Sequence, residues 1–338
     1  MPKSLRIAIV GFGSAGAASA ILLARDGHDV HLFERAPENS PIGAGFLLQP
    51  TGLSVIKELG IYDKLLPLTT PIDQLYCIND RQSLMLNLHY KEIHPDLRGA
   101  GTHRTTLLQL LENEVYESGA ILHWDTEIQR IEKQGELSVL HDSMGDTHEA
   151  FDLLLICDGS RSQLRQQVGI PYTHKQYPWG ALWFIGKRTE DFEPNQLWQS
   201  VSSTNKLCGF LPTGTPDDLL SLFWSIRMDK IEEWRAGDLD AWKAQVLEMA
   251  PKAEEFLRQI TKHSDLSVAG YHDVVMKRWH TDNTAILGDA AHALSPQLGQ
   301  GVNLALVDAS TLTQCLRDKP LKQALSDYSA RRKKHLSF

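Results

Sequence analysis

The stretch Leu5-Arg6-Ile7-Ala8-Ile9-Val10-Gly11-Phe12-Gly13-Ser14-Ala15-Gly16, continuing into Ala17-Ala18-Ser19-Ala20-Ile21-Leu22-Leu23-Ala24, decides how this chain folds. Its first six residues are mostly apolar and β-branched, which predicts a buried strand, and the alanine- and leucine-rich segment after the glycines predicts a helix. Strand, tight turn and helix in that order, with glycines spaced G-x-G-x-x-G, describe the phosphate-binding half of a βαβ unit. Gly11 permits the turn, Gly13 lets the backbone approach a pyrophosphate, and Gly16 lets the helix pack closely on the strand. Ser14 and Ala15 open the helix, whose unpaired N–H groups and positive dipole end face the phosphates.

The helix stops at Asp26-Gly27-His28, and a second buried strand, Asp29-Val30-His31-Leu32-Phe33, ends on Glu34. Glu34 lies 18 residues beyond Gly16, close to the spacing of roughly 20 at which an acidic side chain accepts hydrogen bonds from a ribose. A carboxylate there disfavours a 2′-phosphate, so the expected adenosine belongs to FAD or NAD rather than NADP. Arg35, which follows at once, weakens that exclusion.

Two further signatures lie far downstream. An apolar strand from Asp152 ends on Cys157-Asp158-Gly159-Ser160, and Thr284-Ala285-Ile286-Leu287 ends on Gly288-Asp289. The loop Pro296-Gln297-Leu298-Gly299-Gln300-Gly301 then opens a helix from Val302 to Leu316, so a second helix N-terminus can receive an anion around Gly299 to Asn303. Taken with the first motif, these point to one flavin adenine dinucleotide laid across most of the chain. Each also has a plainer reading. Asp158-Gly159-Ser160 could be a turn and N-cap before a helix from Arg161 to Val168, His292 reads as a structural loop histidine, and Arg104 as either an anion ligand or a surface ion-pair residue.

The chain has 338 residues, enough for two domains, with 42% hydrophobic and 22% charged content, as in ordinary globular proteins. A formal net charge of -8 argues against broad attraction to nucleic acid. The one basic run, Arg331-Arg332-Lys333-Lys334, reads as a solvated helix face. Cys77, Cys157, Cys208 and Cys315 are too scattered for a disulfide framework or a zinc site and read as buried free thiols, with no metal expected. No apolar run reaches the roughly 18 residues of a spanning helix, and no signal peptide precedes the first strand, so the expectation is a cytoplasmic protein with no integral membrane segment.

Between the motifs the character changes. Leu75 to Tyr90 reads as a hairpin turning at Asn79-Asp80-Arg81, and Tyr177 to Arg227 as aromatic-rich strands; five of the eight tryptophans lie from Trp179 to Trp234. Lys230 to Ile260 reads as amphipathic helix broken at Pro251, and Leu266 to Val275 as a returning strand. The expected fold is α/β, a Rossmann-like FAD-binding domain with an inserted, mainly antiparallel sheet. The division is 1–72, 98–171 and 272–338 for the FAD-binding domain and 73–97 with 172–271 for the substrate domain. The sheet's aromatics are expected in its core first and at substrate second. Along Trp179 to Ile185, alternation puts Trp179, Ala181 and Trp183 on one face and Gly180, Leu182 and Phe184 on the other, with no indication of which meets the flavin. Trp183, Trp224 and Arg227 are candidates for the substrate wall by location, as are His174 and Tyr177.

The pattern resembles the class A FAD-dependent aromatic monooxygenases, of which para-hydroxybenzoate hydroxylase is the familiar type. The matching residues are Gly11 to Gly16 with Glu34, His103-Arg104-x-x-Leu107, Cys157-Asp158-Gly159-Ser160-x-Ser162-x-x-Arg165, and Gly288-Asp289-Ala290-Ala291-His292 followed by Pro296-x-x-Gly299-x-Gly301-x-Asn303. The resemblance implies that Glu34 holds the adenosine ribose, that Arg104 approaches the FAD phosphates and ribityl chain, and that Asp289 binds the ribityl or pyrophosphate portion. It implies that backbone N–H groups from Gly299 through Gly301, Val302 and Asn303 face the flavin's pyrimidine edge, where they would stabilise a reduced, anionic flavin. It also places Gly43-Ala44-Gly45 beside the isoalloxazine, Ile128 at adenine, and Asp158 with Gly159 where FAD and an incoming nicotinamide cofactor are both served. Class A enzymes commonly run some tens of residues past the point where this chain stops, which leaves open a compact protein or a truncated one.

The reaction implied is reduction of FAD by NADPH or NADH, followed by transfer of one oxygen of O2 through a flavin C4a-hydroperoxide to a small aromatic or polycyclic molecule, as hydroxylation or epoxidation. No catalytic base stands out. The alternatives are an FAD-dependent reductase or dehydrogenase of the same fold, or a non-catalytic flavin-binding scaffold.

Overall fold

A computed structural model describes residues 4–38, 45–203, 206–214, 218–295 and 299–336. Gly43 and Ala44, and Pro296 in the last glycine loop, lie outside the described residues. The strand Arg6–Val10 stands at the centre of a five-stranded parallel sheet, in the order Thr284–Ile286, Leu153–Ile156, Arg6–Val10, Asp29–Phe33 and Ile121–His123. Ile7, Ala8 and Ile9 are fully buried, as are Leu153 to Ile156, because helices pack on the sheet and so does an antiparallel meander that carries Leu140 and Phe151. A parallel sheet covered on both faces has strands that are apolar throughout. The helix Ser14–Arg25 packs against Gly301–Asp318 and Arg104–Ser118, and fully buried Ala17, Ala18 and Ala20 keep its contact face small.

An antiparallel meander, Ile128–Gln134, Leu137–Asp142 and Thr147–Phe151, joins this sheet. A seven-stranded sheet is separate from it, in the order Ser267–Met276, Tyr172–Lys187, Leu219–Arg227, Lys206–Pro212, Gln196–Ser202, Gln74–Asn79 and Leu84–His89. Its last two strands form the expected hairpin. Asn79 Oδ1 accepts from the backbone N–H groups of Arg81 (3.0 Å) and Ser83 (2.9 Å), an Asx turn that explains the reversal there.

One face of the large sheet is covered by short helices Ile231–Ala236, Leu239–Met249 and Glu254–Leu257. The amphipathic helix expected from Lys230 to Ile260 with a break at Pro251 is thus in more pieces than that. Gly237 and Asp238, whose carboxylate accepts from Asp240 N (3.1 Å), restart it once, and Pro251 does so again. The expected helix from Arg161 to Val168 is a turn followed by a short 3-10 segment, Leu164–Val168.

A small antiparallel sheet, Gly45–Leu48, Gly99–His103 and Thr70–Ile72, bridges the two large ones. A core of Leu47, Ile72, Tyr90 and Leu211 fills the join. The final helix, Leu321–Leu336, corrects the reading of the basic run: Arg332 is 1% exposed and points inward. All four cysteines are buried and free. Among the described residues, no helix is long and apolar enough to cross a membrane and no acidic, His or Cys group is arranged to hold a metal.

Candidate cofactor and active site

The three distant signatures meet at one place. Gly11 has φ +106°, and a Cβ there would stand 2.5 Å from the Cys157 carbonyl oxygen and 3.0 Å from Asp158 Cα. A Cβ on Gly16 would stand 2.0 Å from the Gly11 carbonyl oxygen, so helix and turn touch backbone to backbone. A Cβ on Gly288, which has φ +58°, would lie 3.3 Å from Ala15 Cβ and 3.5 Å from Ala305 Cβ. Gly301 sits beside Asp289, its virtual Cβ 3.8 Å from Oδ1. Gly13 differs from these: it precedes the first helical residue, Ser14, and a Cβ there would meet nothing within 4 Å. Open space at a helix N-terminus is what an incoming pyrophosphate needs.

Carboxylates surround this junction. Glu34 Oε2 accepts from Phe12 N (2.6 Å) and Oε1 from Ala36 N (2.9 Å); it fastens the glycine turn to its own strand and keeps lone pairs for a further donor. Arg35 next to it is exposed and Ile128 is buried at the start of its strand. Asp158 has a buried Oδ1 with no partner among the described residues, and burial raises its pKa. Asp289 is likewise raised by burial, opposed by the charges of His292 and of Arg104, which places Arg104 within electrostatic reach of the last motif. Orphaned buried carboxylate oxygen, open helix N-terminus and nearby arginine fit a polyhydroxylated, diphosphate-bearing cofactor.

Two buried arginines, neither among the expected ligands, hold the motifs together. Arg165 donates from Nη1 to Ala290 O (2.8 Å) and from Nη2 to Ser160 O (3.1 Å), stapling the middle signature to the last. Arg332 Nε donates to Asp308 Oδ1 (2.6 Å). The other oxygen of Asp308 accepts from Gly288 N (2.7 Å) and pairs with His292 Nε2 (2.6 Å). Burial pushes the Asp308 pKa up, but the His292 and Arg332 charges more than offset this and hold it below the usual carboxylate range. Burial pulls His292 down, and Asp308 outweighs that, so the imidazole is raised. With its ring also against Trp279, His292 is held in a structural ion pair, but as the last residue of the short helix Asp289–His292 rather than in a loop.

At the start of the helix Gly301–Asp318, Asn303 acts through its side chain. Its Nδ2 donates to Leu47 O and Gly299 O (both 3.0 Å), and its Oδ1 accepts from Gln49 N (2.8 Å). It thereby ties the helix start at Gly299, Gly301 and Val302 to the strand Gly45–Leu48. Gly45 pairs with His103 in the small sheet. A Cβ on Gly45 would stand 2.2 Å from Ser221 Oγ and 2.3 Å from Thr213 Cγ2, and one on Gly101 would stand 1.8 Å from Pro212 O. Two glycines therefore let the small sheet lie directly on the large one.

That contact settles which face of the large sheet looks toward the junction. Ser221 and Phe223 share a face by strand alternation, and Trp183 lies directly opposite Phe223, their rings 5.4 Å apart. Tyr271 joins them, its hydroxyl accepting from Trp183 Nε1 (3.3 Å). These three aromatics remain partly exposed. Trp224 is opposite Leu182 instead, 3% exposed and edge-on to Trp242 beneath the helices. Its candidacy for the substrate wall is corrected: the helices bury its face. Arg227 is at the strand's far end and bound through Nε and Nη2 to both Asp229 oxygens (2.9 and 2.7 Å), so it too is removed from the wall. Tyr271, Ser221 and Phe223 were missed because only the register shows which residues accompany Trp183.

The family described as FAD binding domain matches residues 4–337. The chain belongs to this family. The flavoprotein is a monooxygenase of the FAD-dependent aromatic class that its motifs resemble. It is 25% identical over 94% of its length to 6-hydroxynicotinate 3-monooxygenase of Pseudomonas fluorescens, of which it covers 84%. It is 28% identical over 94% of its length to 3-hydroxybenzoate 6-hydroxylase of Klebsiella oxytoca, of which it covers 81%. Its fold is that of P. aeruginosa PqsL solved with 2-aminobenzoylacetate, with a TM-score of 0.87 at 24% identity, covering 98% of this chain and 92% of that one.

Proposed function

We propose that this flavoprotein inserts one oxygen atom of O2 into a small aromatic molecule, with NADH or NADPH as electron donor. The convergence of Gly13, Asp158 and Asp289 on one open junction, opposite the uncovered Trp183–Phe223 face, carries this reading. The diphosphate of FAD would lie on the helix start at Gly13, Ser14 and Ala15, with Glu34 on the adenosine ribose and Ile128 at adenine. Asp289 and Arg104 would hold the ribityl and phosphate portion, and Gly45, Gly299, Gly301, Val302 and Asn303 would frame the ring. Bound there, FAD supplies oxygen activation.

The chain's own contribution is orientation and dryness. Asn303 fixes the helix start against Gly45–Leu48, so backbone N–H groups are preorganised where negative charge develops. The join between the two sheets keeps water from the reacting centre. The two-domain division, with 73–97 and 172–271 forming the substrate domain, belongs to the same proposal. The test is to incubate the FAD-loaded protein with NADH or NADPH, isotopically labelled dioxygen and a panel of aromatics. One labelled oxygen atom in a product supports the reading. NAD(P)H oxidation that yields only hydrogen peroxide with every aromatic, or electron transfer indifferent to oxygen, contradicts it.

A further inference from the structure

We propose that the substrate is a neutral aromatic bearing a hydrogen-bond acceptor and no carboxylate, lying against Trp183 and Phe223 with the Tyr271 hydroxyl donating to it. The inference rests on the monooxygenase reading above and narrows its substrate class. The sheet face turned to the junction presents Ala181, Trp183, Leu211, Ser221, Phe223 and Tyr271, all uncharged. A carboxylate entering a water-poor site needs a cation or several fixed donors to replace its hydration.

The cations around this face are placed or engaged elsewhere. Arg227 is at one end of its strand and is neutralised by Asp229, roughly 13 Å along the backbone from Phe223 at strand spacing. Lys187 is exposed at the other end of the sheet. His174 and His272 hydrogen-bond to each other (2.9 Å), with Arg161 on His272 (3.2 Å), at an exposed margin. On the opposing elements, Arg104 lies within reach of Asp289, and burial lowers the pKa of His103 and so favours its neutral form. The segments 39–44, 215–217 and 296–298 contain no Lys, Arg or His.

The polar groups on the face are of two kinds. Ser221 and Thr213 hydroxyls bond each other at 3.1 Å. The Tyr271 oxygen accepts from Trp183 Nε1, which leaves its own O–H to donate outward. Burial pushes its pKa up to about 12, so it stays a donor at neutral pH. A carbonyl, ring nitrogen or phenol oxygen on a planar molecule fits that donor, and two aromatic rings supply the stacking surface.

The test uses FAD-loaded protein and the change in its visible flavin spectrum on titration with matched probes, salicylamide against salicylate and quinolone against quinolone carboxylate. The neutral member of each pair is expected to bind at least about ten-fold tighter. Phe223→Arg, which puts a cation on the same face, is expected to shift the ratio about ten-fold toward the carboxylates. Tyr271→Phe is expected to weaken salicylamide about ten-fold with flavin content unchanged. Carboxylates that bind as tightly as their neutral partners, or neutral probes that leave the flavin spectrum unmoved, overturn the proposal. Failure of the underlying reading shows earlier and separately, as protein that holds no flavin before any probe is added.

Discussion

At the scale of single residues, two glycines of one motif should behave oppositely. Gly13→Ala adds a methyl where the protein has nothing within 4 Å, so the apoprotein should melt at the wild-type temperature. Its FAD dissociation constant, read by quenching of flavin fluorescence, should rise at least about ten-fold, about 1.4 kcal/mol. Gly16→Ala puts a methyl 2.0 Å from the Gly11 carbonyl oxygen and should lower the melting temperature even without FAD. Equal effects of the two on the apoprotein would contradict the cofactor role of Gly13. These roles could be read in the sequence because a turn's steric demand is local. Trp183 and Trp224 could not be told apart that way, since alternation gives two faces and only the packed helices say which is covered.

At the scale of elements, the final helix holds the last motif through a buried ion network. Arg332→Met leaves the Asp308 carboxylate, which is 0% exposed, with His292 and Gly288 N alone, and should cost about 1.5–3 kcal/mol in urea unfolding. Arg332→Met combined with Asp308→Asn should recover part of that loss. Neutral behaviour of the single variant would refute the clamp. The network also has a pH signature. Because the folded pKa of His292 is raised above 6.5, its stabilisation is complete below 6.5 and is lost as pH rises through the folded value. The depressed pKa of Asp308 gives the opposite limb, with stability lost only as pH falls below the ordinary carboxylate value. His292→Asn should therefore flatten the alkaline decline in melting temperature and also weaken the acid limb, since His292 does more than Arg332 to hold the Asp308 pKa down. The sequence showed four basic residues in a row and a helix; that one of them turns inward depends on Asp308, 24 residues upstream of it, and on no local pattern.

At the scale of the whole molecule, a parallel sheet carries the cofactor motifs and an antiparallel sheet presents an aromatic face to them. The long strands and the G-x-G-x-x-G unit made that architecture legible. The small sheet of Gly45–Leu48, Thr70–Ile72 and Gly99–His103 did not show in the sequence, because its strands have three to five residues and contain glycine and proline, which mimic loops. Yet this sheet joins the two halves, and the account of function depends on that join bringing reduced flavin and aromatic substrate together. The most direct test of this is the visible spectrum of FAD-loaded protein mixed with NADPH or NADH without oxygen, in the presence of neutral aromatics. The bound flavin band should bleach with at least one donor and return on admitting oxygen; a tightly bound flavin that stays oxidised with both would contradict the monooxygenase reading.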